Sequence, residues 1–230
     1  MSGRRNYGDP CGVARGLDVI GERWALLVVR DLLLGPKRFG DLLAGLPGVS
    51  PNVLSQRLRE LAEHGVVRRR DLGPPARVHL YELTEWGRDL EPVLLGLGRW
   101  GSRAPSPPEG VLGVDSLLLS VKAAFDPADV AEAARLSGVY EIRVGADIYA
   151  AEVTGDGVRI DRRPASRRPD AALTADLDTF RALCVHGTTV EEAVRSGAAR
   201  LDGDPEARRS LVDLLLAAVP PRRDAAPVTA

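Results

Sequence analysis

The chain has 230 residues, enough for one large or two ordinary domains, and its net charge of −1 hides an asymmetry. Residues 1–104 hold 16 Lys and Arg against 12 Asp and Glu, and the remainder holds 15 against 20, so only the first part is suited to meet a polyanion. Two cysteines make no disulfide framework, and neither a signal-type apolar segment nor a membrane-length run occurs, so the expected location is cytoplasmic with no membrane partner.

In chain order, "VARGLDVIG" reads as a short helix and "RWALLVVRDLLLG" as an apolar helix that Gly35 ends. "FGDLLAGL" is a third helix, with Leu42, Leu43 and Leu46 facing inward. The turn "PGVS" leads into "PNVLSQRLRELAEHG", where Leu54, Leu58 and Leu61 fall on one stripe, Ser50 can cap the start, Pro51 suits the first turn and Gly65 the stop. The other face carries Asn52, Ser55, Gln56 and Arg59, groups that pair with base edges and phosphates. Two helices joined by a tight Gly-containing turn, the second polar outside, are what a helix-turn-helix requires.

"VVRRR", the Gly- and Pro-rich "DLGPPA" and "RVHLYEL" then predict a β-hairpin, a wing directly after the polar helix. Arg68, Arg69 and Arg70 stay ambiguous, because alternate strand residues point to opposite sides. Lys37, Arg38 and Arg77 suit phosphates better than bases. Thr84 caps one last helix, "EWGRDLEPVLLGLGRW", whose Leu90, Leu94 and Leu97 form a stripe that Val93 and Trp100 widen. A stripe beyond a closed core needs a partner, and a second copy is the simplest one.

The run from Cys11 to Arg70, with "PPARVHLYELTEWG" after it, resembles the HxlR-type family of bacterial transcriptional regulators through "GERW", "LLLGPKRFGDL", "SPNVLSQRLREL" and "YELTEWG". That resemblance implies binding to double-stranded operator DNA as a homodimer formed through residues 13–20 and 85–100. It also directs notice to Cys11, since some members sense oxidants or electrophiles through a cysteine at this place; here Gly12 follows it where proline is common. Arg15, one turn on, is a setting that lowers a thiol pKa.

"SRAPSPPEG" marks a connector, which divides the chain into a first domain over 1–101, a Pro-rich linker over 102–114, a second domain over 115–219 and a disordered tail over 220–230. In the second domain "SLLLSVKAAF" is helical and Asp126-Pro127 opens another short helix. "GVYEIRVG", "DIYAAEVTG" and "GVRIDRRP" alternate as antiparallel strands, with Tyr140, Ile142 and Val144 on one face against Glu141 and Arg143 on the other. "DAALTA" and "AARLDGD" are a fourth and a fifth strand, separated by helices that include a Thr189–Glu192 capping box, and Asp204-Pro205 starts the final helix. The fold class is thus a mostly α winged helix-turn-helix domain followed by an α+β domain, a five-stranded sheet with covering helices.

Residues 138–219 resemble the sterol-carrier-protein family at Asp170, Leu173, Asp176, Phe180, Leu183, Gly187, Ala193, Gly197, Gly203 and Asp204. This implies an apolar tunnel for a small hydrophobic effector, with Phe125, Tyr140, Tyr149, Phe180, Ala182 and Leu183 as lining candidates; for any one of the four aromatics core filling is the better reading, and for the group a cavity is. Cys184 reads as a small core hydrophobe. His64, His79 and His186 lie far apart, so neither a metal nor a cofactor is expected, and no nucleophile–base pattern points to an enzyme. Two mechanisms stay open: an effector in the second domain, or a thiol switch at Cys11 with the second domain structural. A lipid carrier or enzyme accessory module is a third reading.

Overall fold

A computed structural model describes residues 6–75, 78–104, 110–125 and 128–217. The chain divides into two compact units, Met1–Leu94 and Leu95–Ala230. The expected tail and residues 105–109 of the proline-rich linker lie outside the described residues, as does Asp126-Pro127. The division falls earlier than residue 101, inside a helix, because the C-terminal half of that helix is tied onward: Arg99 donates to the Ala123 carbonyl at 3.3 Å.

The first unit begins with α1 (Gly12–Ile20), α2 (Ala25–Leu33), α3 (Phe39–Gly45) and α4 (Pro51–Glu63). Strands β1 (Val67–Asp71) and β2 (His79–Leu83) follow, then α5 (Glu85–Arg88). Val28, Val29 and Leu32 of α2 meet Leu42 of α3, Leu46 just after it, Leu54, Leu58 and Leu61 of α4, and Val67 and Leu83 of the hairpin in one core. The hairpin is antiparallel, with Arg68 opposite Glu82 and Arg70 opposite Leu80. Lys37 exchanges both backbone hydrogen bonds with Tyr81, so the α2–α3 connector is fastened to β2.

The single helix expected over 85–100 is instead two. α5 stops at Arg88 and α6 (Glu91–Gly101) starts afresh, because Pro92 has no N–H to donate and its ring excludes the carbonyl four residues earlier. Proline is tolerated where it sits, in the first turn of α6. Gly87 is required by close approach: a Cβ there would overlap the Val66 carbonyl.

The second unit contains α7 (Val114–Ala124), α8 (Val130–Leu136), β3 (Gly138–Val144), β4 (Asp147–Thr154), β5 (Gly157–Asp161) and β6 (Ala171–Ala175). It ends with α9 (Leu177–Cys184), α10 (Val190–Arg195), β7 (Ala199–Gly203) and α11 (Pro205–Leu216). The five strands lie in the order β5-β4-β3-β6-β7, and only β3 and β6 run parallel. Asp129 caps α8 by accepting from Glu132 N–H, and Asp204 caps α11. The Thr189–Glu192 capping box forms as expected.

To reach β6 from β5 the chain must pass over β4 and β3. It does so on the face of Glu141, whose carboxylate accepts from Ala165 N–H at 3.0 Å and pairs with Arg143. Strand alternation places Glu141 on the polar side, yet this crossing buries it. Asp170, where the crossing ends, accepts from Val139 N–H at 2.8 Å and from both terminal nitrogens of Arg167. Arg167, and then that N–H, hold its carboxyl below the usual range.

Gly203 has φ +118°, and a Cβ there would overlap the Asp170 carbonyl. Gly203→Ala is therefore expected to cost the second unit about 1–3 kcal/mol in urea unfolding. Gly155→Ala, at a turn with open space around it, serves as the control and should change little.

Candidate nucleic-acid interface

α4 is held on one side and free on the other. Ser50 caps it by accepting from Val53 N–H at 3.3 Å, and Leu54, Leu58 and Leu61 are sealed into the core. Arg57, also turned inward, pairs with Glu22 at 3.6 Å and with Glu60. Asn52, Ser55, Gln56 and Arg59 are all exposed and line one shallow depression of about 460 Å³. Glu60 and Glu63 share that depression, and Gln56 donates to Glu60 at 3.0 Å. The sequence reading left these two carboxylates out, although Glu63 repeats the spacing from Arg59 that Gln56 has from Asn52.

The three residues assigned to phosphates separate. Arg38 is exposed at the start of α3, where its N–H meets the Asp41 carboxylate at 3.1 Å. Arg77 lies outside the described residues. Lys37 differs from the sequence reading: it is 8% exposed, and its ammonium lies 3.3 Å from Asp31 Oδ2. Asp31, 2% exposed, also takes Arg30 at 2.7 Å. A lysine so placed supports the turn rather than reaching for solvent.

The arginine run sorts by strand geometry. Arg68 and Arg70 both reach Glu82, at 2.7 and 3.3 Å. Arg69, on the opposite face, lies 3.2 Å from Asp71. Asp71 also accepts from His79, and this contact, with Arg69 beside it, draws its carboxyl below the usual range.

Helices α1, α5 and α6 carry several uncovered apolar residues. Val13 and Leu17 of α1 are exposed, as are Trp86 of α5 and Val93, Leu97 and Trp100 of α6, the last three at 53, 44 and 68%. Leu90 and Leu94 depart from the expected stripe and pack against the unit's own core. Cys11 precedes α1 and is exposed. The N–H groups of Val13 and Ala14 at that helix start lower its thiol pKa. Nearby, Gly12, Arg15, Gly16, Trp86, Asp89 and Leu90 line a groove of about 650 Å³.

In the second unit the proposed lining residues are packed. Tyr140, Tyr149, Phe180 and Leu183 are buried, whereas Phe125 and Ala182 are half-buried. Tyr140 donates to the Leu136 carbonyl at 2.7 Å. Tyr149 donates to Asp115 at 3.0 Å, and Arg162, also paired with Asp115, lies 5.4 Å from its ring centroid. Burial raises the Tyr149 hydroxyl well above its ordinary value. Among the described residues no cluster of three metal-ligating side chains occurs, and no helix is long and apolar enough to cross a membrane.

A helix-turn-helix with an exposed polar second helix and an adjoining β-hairpin defines a winged-helix DNA-binding protein. The model of the HxlR-like helix-turn-helix matches residues 19–108. An HTH-type transcriptional regulator of Synechocystis, sll1512, is 41% identical over 97 residues, 41% of this chain and 70% of that protein. The Bacillus subtilis HTH-type regulator YvaP is 40% identical over 38% of this chain and 82% of its own length. Among solved structures, the redox regulator HypR in its oxidized form aligns at 34% identity and TM-score 0.40, over 42% of this chain and all of that one. The chain belongs to the HxlR-like helix-turn-helix family and is a transcriptional regulator.

Lys37→Ala is expected to lower the stability of the first unit by about 1–3 kcal/mol, since Asp31 loses one of its buried partners. The salt dependence of DNA binding, measured on the same protein, should stay unchanged, because no phosphate contact is lost.

Proposed function

We propose that this regulator binds operator DNA as a twofold-symmetric dimer, each copy laying α4 in a major groove and its wing on the flanking backbone. The observation that carries this reading is the division of α4: four donor and acceptor side chains exposed together, and the opposite face locked in the core. Asn52 suits adenine and Arg59 guanine, while Ser50, Ser55 and Gln56 add contacts near the helix start. Arg38 and Arg77 are assigned to phosphates. The uncovered apolar side chains within 13–20 and 85–100 support a dimer through those helices, which would set half-sites about one helical turn apart.

The second domain is proposed to act as the effector module. The resemblance of residues 138–219 to sterol-carrier proteins is what supports a small hydrophobic ligand for this domain. A ligand that favours one dimer geometry changes operator affinity by linkage, typically about 5- to 150-fold. A second reading rests on Cys11, an exposed thiol at a helix start beside the α1 groove.

Duplexes selected from a random pool test the first reading. Asn52→Ala and Arg59→Ala should each cost about 1–3 kcal/mol at one base pair and relax preference there. Leu97→Asp should give a monomer in sedimentation and weaken operator binding. Unchanged preference in both α4 variants would place the reading surface elsewhere.

Iodoacetamide separates the two signalling routes. The rate at Cys11 should rise with pH through a midpoint below that of an ordinary free thiol, since only the thiolate reacts. Cys184, which burial pushes up to about 12, should stay unmodified in the folded protein. Operator affinity unaltered by Cys11 alkylation, together with a small molecule retained in native mass spectra, is the expected result. Affinity lost on alkylation, with no retained molecule, would transfer the sensing role to Cys11.

A further inference from the structure

We propose that Arg68 and Arg70 form a phosphate clamp on the wing and that Glu82 is its positioning residue. This rests on the DNA-binding reading of α4. Arg68 and Arg70 are two residues apart on β1 and so share a face; Glu82 stands directly opposite Arg68 on β2. The Glu82 carboxylate spans both, Oε1 taking Arg68 Nε at 2.7 Å and Oε2 taking Arg70 Nη1 at 3.3 Å. Glu82 is 5% exposed, whereas both guanidinium side chains remain about half exposed or more.

Burying a carboxylate to pair it with cations gains little stability, and an apolar residue of similar size commonly serves a hairpin as well. What such a residue can supply is direction. A guanidinium has five N–H donors in a fixed fork, so an arginine that spends one or two on Glu82 keeps others for phosphate oxygens. The anchored side chains also lose less rotamer freedom on binding. The three groups together keep a net charge of +1, and β1 leaves α4 through the short His64–Val66 turn, which sets the clamp beside the reading helix. Arg69 points the other way, toward Asp71 and His79, and belongs to the hairpin's own structure.

The test is the affinity of the full-length protein for a random-sequence DNA duplex spanning about three helical turns, titrated across potassium chloride concentration. Arg68→Ala and Arg70→Ala should each lower the slope of log K against log salt by about 0.9, one phosphate apiece. Glu82→Gln gives opposite signs for the two roles. A carboxylate that merely neutralises would, on removal, tighten binding to a polyanion. A positioning carboxylate should weaken it, by about threefold to tenfold at fixed salt, as the arginines regain their freedom.

Arg68→Lys with Arg70→Lys keeps the charge and removes the fork, and is expected to weaken binding with the slope retained. Because these side chains are exposed, the arginine variants decide the matter even if Glu82→Gln destabilises the hairpin. Unchanged slopes in both alanine variants, or equal or tighter binding by a folded Glu82→Gln protein, would overturn the clamp. If Arg59→Ala still relaxed base preference, only the clamp would fall. A wild-type protein with no salt-dependent binding would end both proposals.

Discussion

The register of α2, the end of α3 and the β-hairpin depends on one buried carboxylate. Asp31 projects from α2 with almost no solvent contact and is neutralised by Arg30 and Lys37. Gly45, at the end of α3, lies so close that a Cβ would overlap Asp31 Oδ2. The backbone of Lys37 meanwhile pairs with Tyr81 in the wing. One charge therefore registers α2, the end of α3 and β2 against each other, and α4 follows α3 through a turn of fixed length. A buried ion adds little net stability, but leaving it unpaired is costly, and that penalty makes one arrangement strongly preferred.

The second domain uses a comparable device. Its parallel pair, β3 with β6, forces a crossing over the sheet, and two carboxylates hold the crossing chain down: Glu141 at Ala165, and Asp170 at the point where it turns into β6. Other positions in this domain have packing or capping roles. Gly203 lets two backbones touch, Asp176 caps α9 and Asp204 caps α11.

Features governed by local rules were legible in the sequence. The leucine spacing of α4, its Ser50 cap, the hairpin and the Thr189–Glu192 box all follow from periodicity and capping chemistry that neighbouring residues decide. Features decided by distant residues were not. The alternation of β3 put Glu141 on the polar face, but its burial needs a segment some twenty residues away. Lys37 looks like a surface cation unless Asp31 is known to lie beneath it. The break at Pro92 was readable in principle, since proline punctuates helices, and the leucine stripe across it outweighed the signal. The spacing of Asn52, Ser55, Gln56 and Arg59 was enough to put them on one exposed face of α4, whereas the partition of Arg68, Arg69 and Arg70 needed the pairing register of β1 with β2.

Glu60 and Glu63 stand in the same depression as Asn52, Ser55, Gln56 and Arg59 of α4. With α4 in a groove as proposed, their negative charge, offset at Glu60 by its Arg57 pair, would oppose any DNA backbone, whatever its sequence, and so subtract from the affinity common to all sites. The binding energy that remains is weighted toward base pairs. Inside a cell, where millions of irrelevant sites compete for each regulator, this shortens the time spent at wrong positions and leaves more copies free to search.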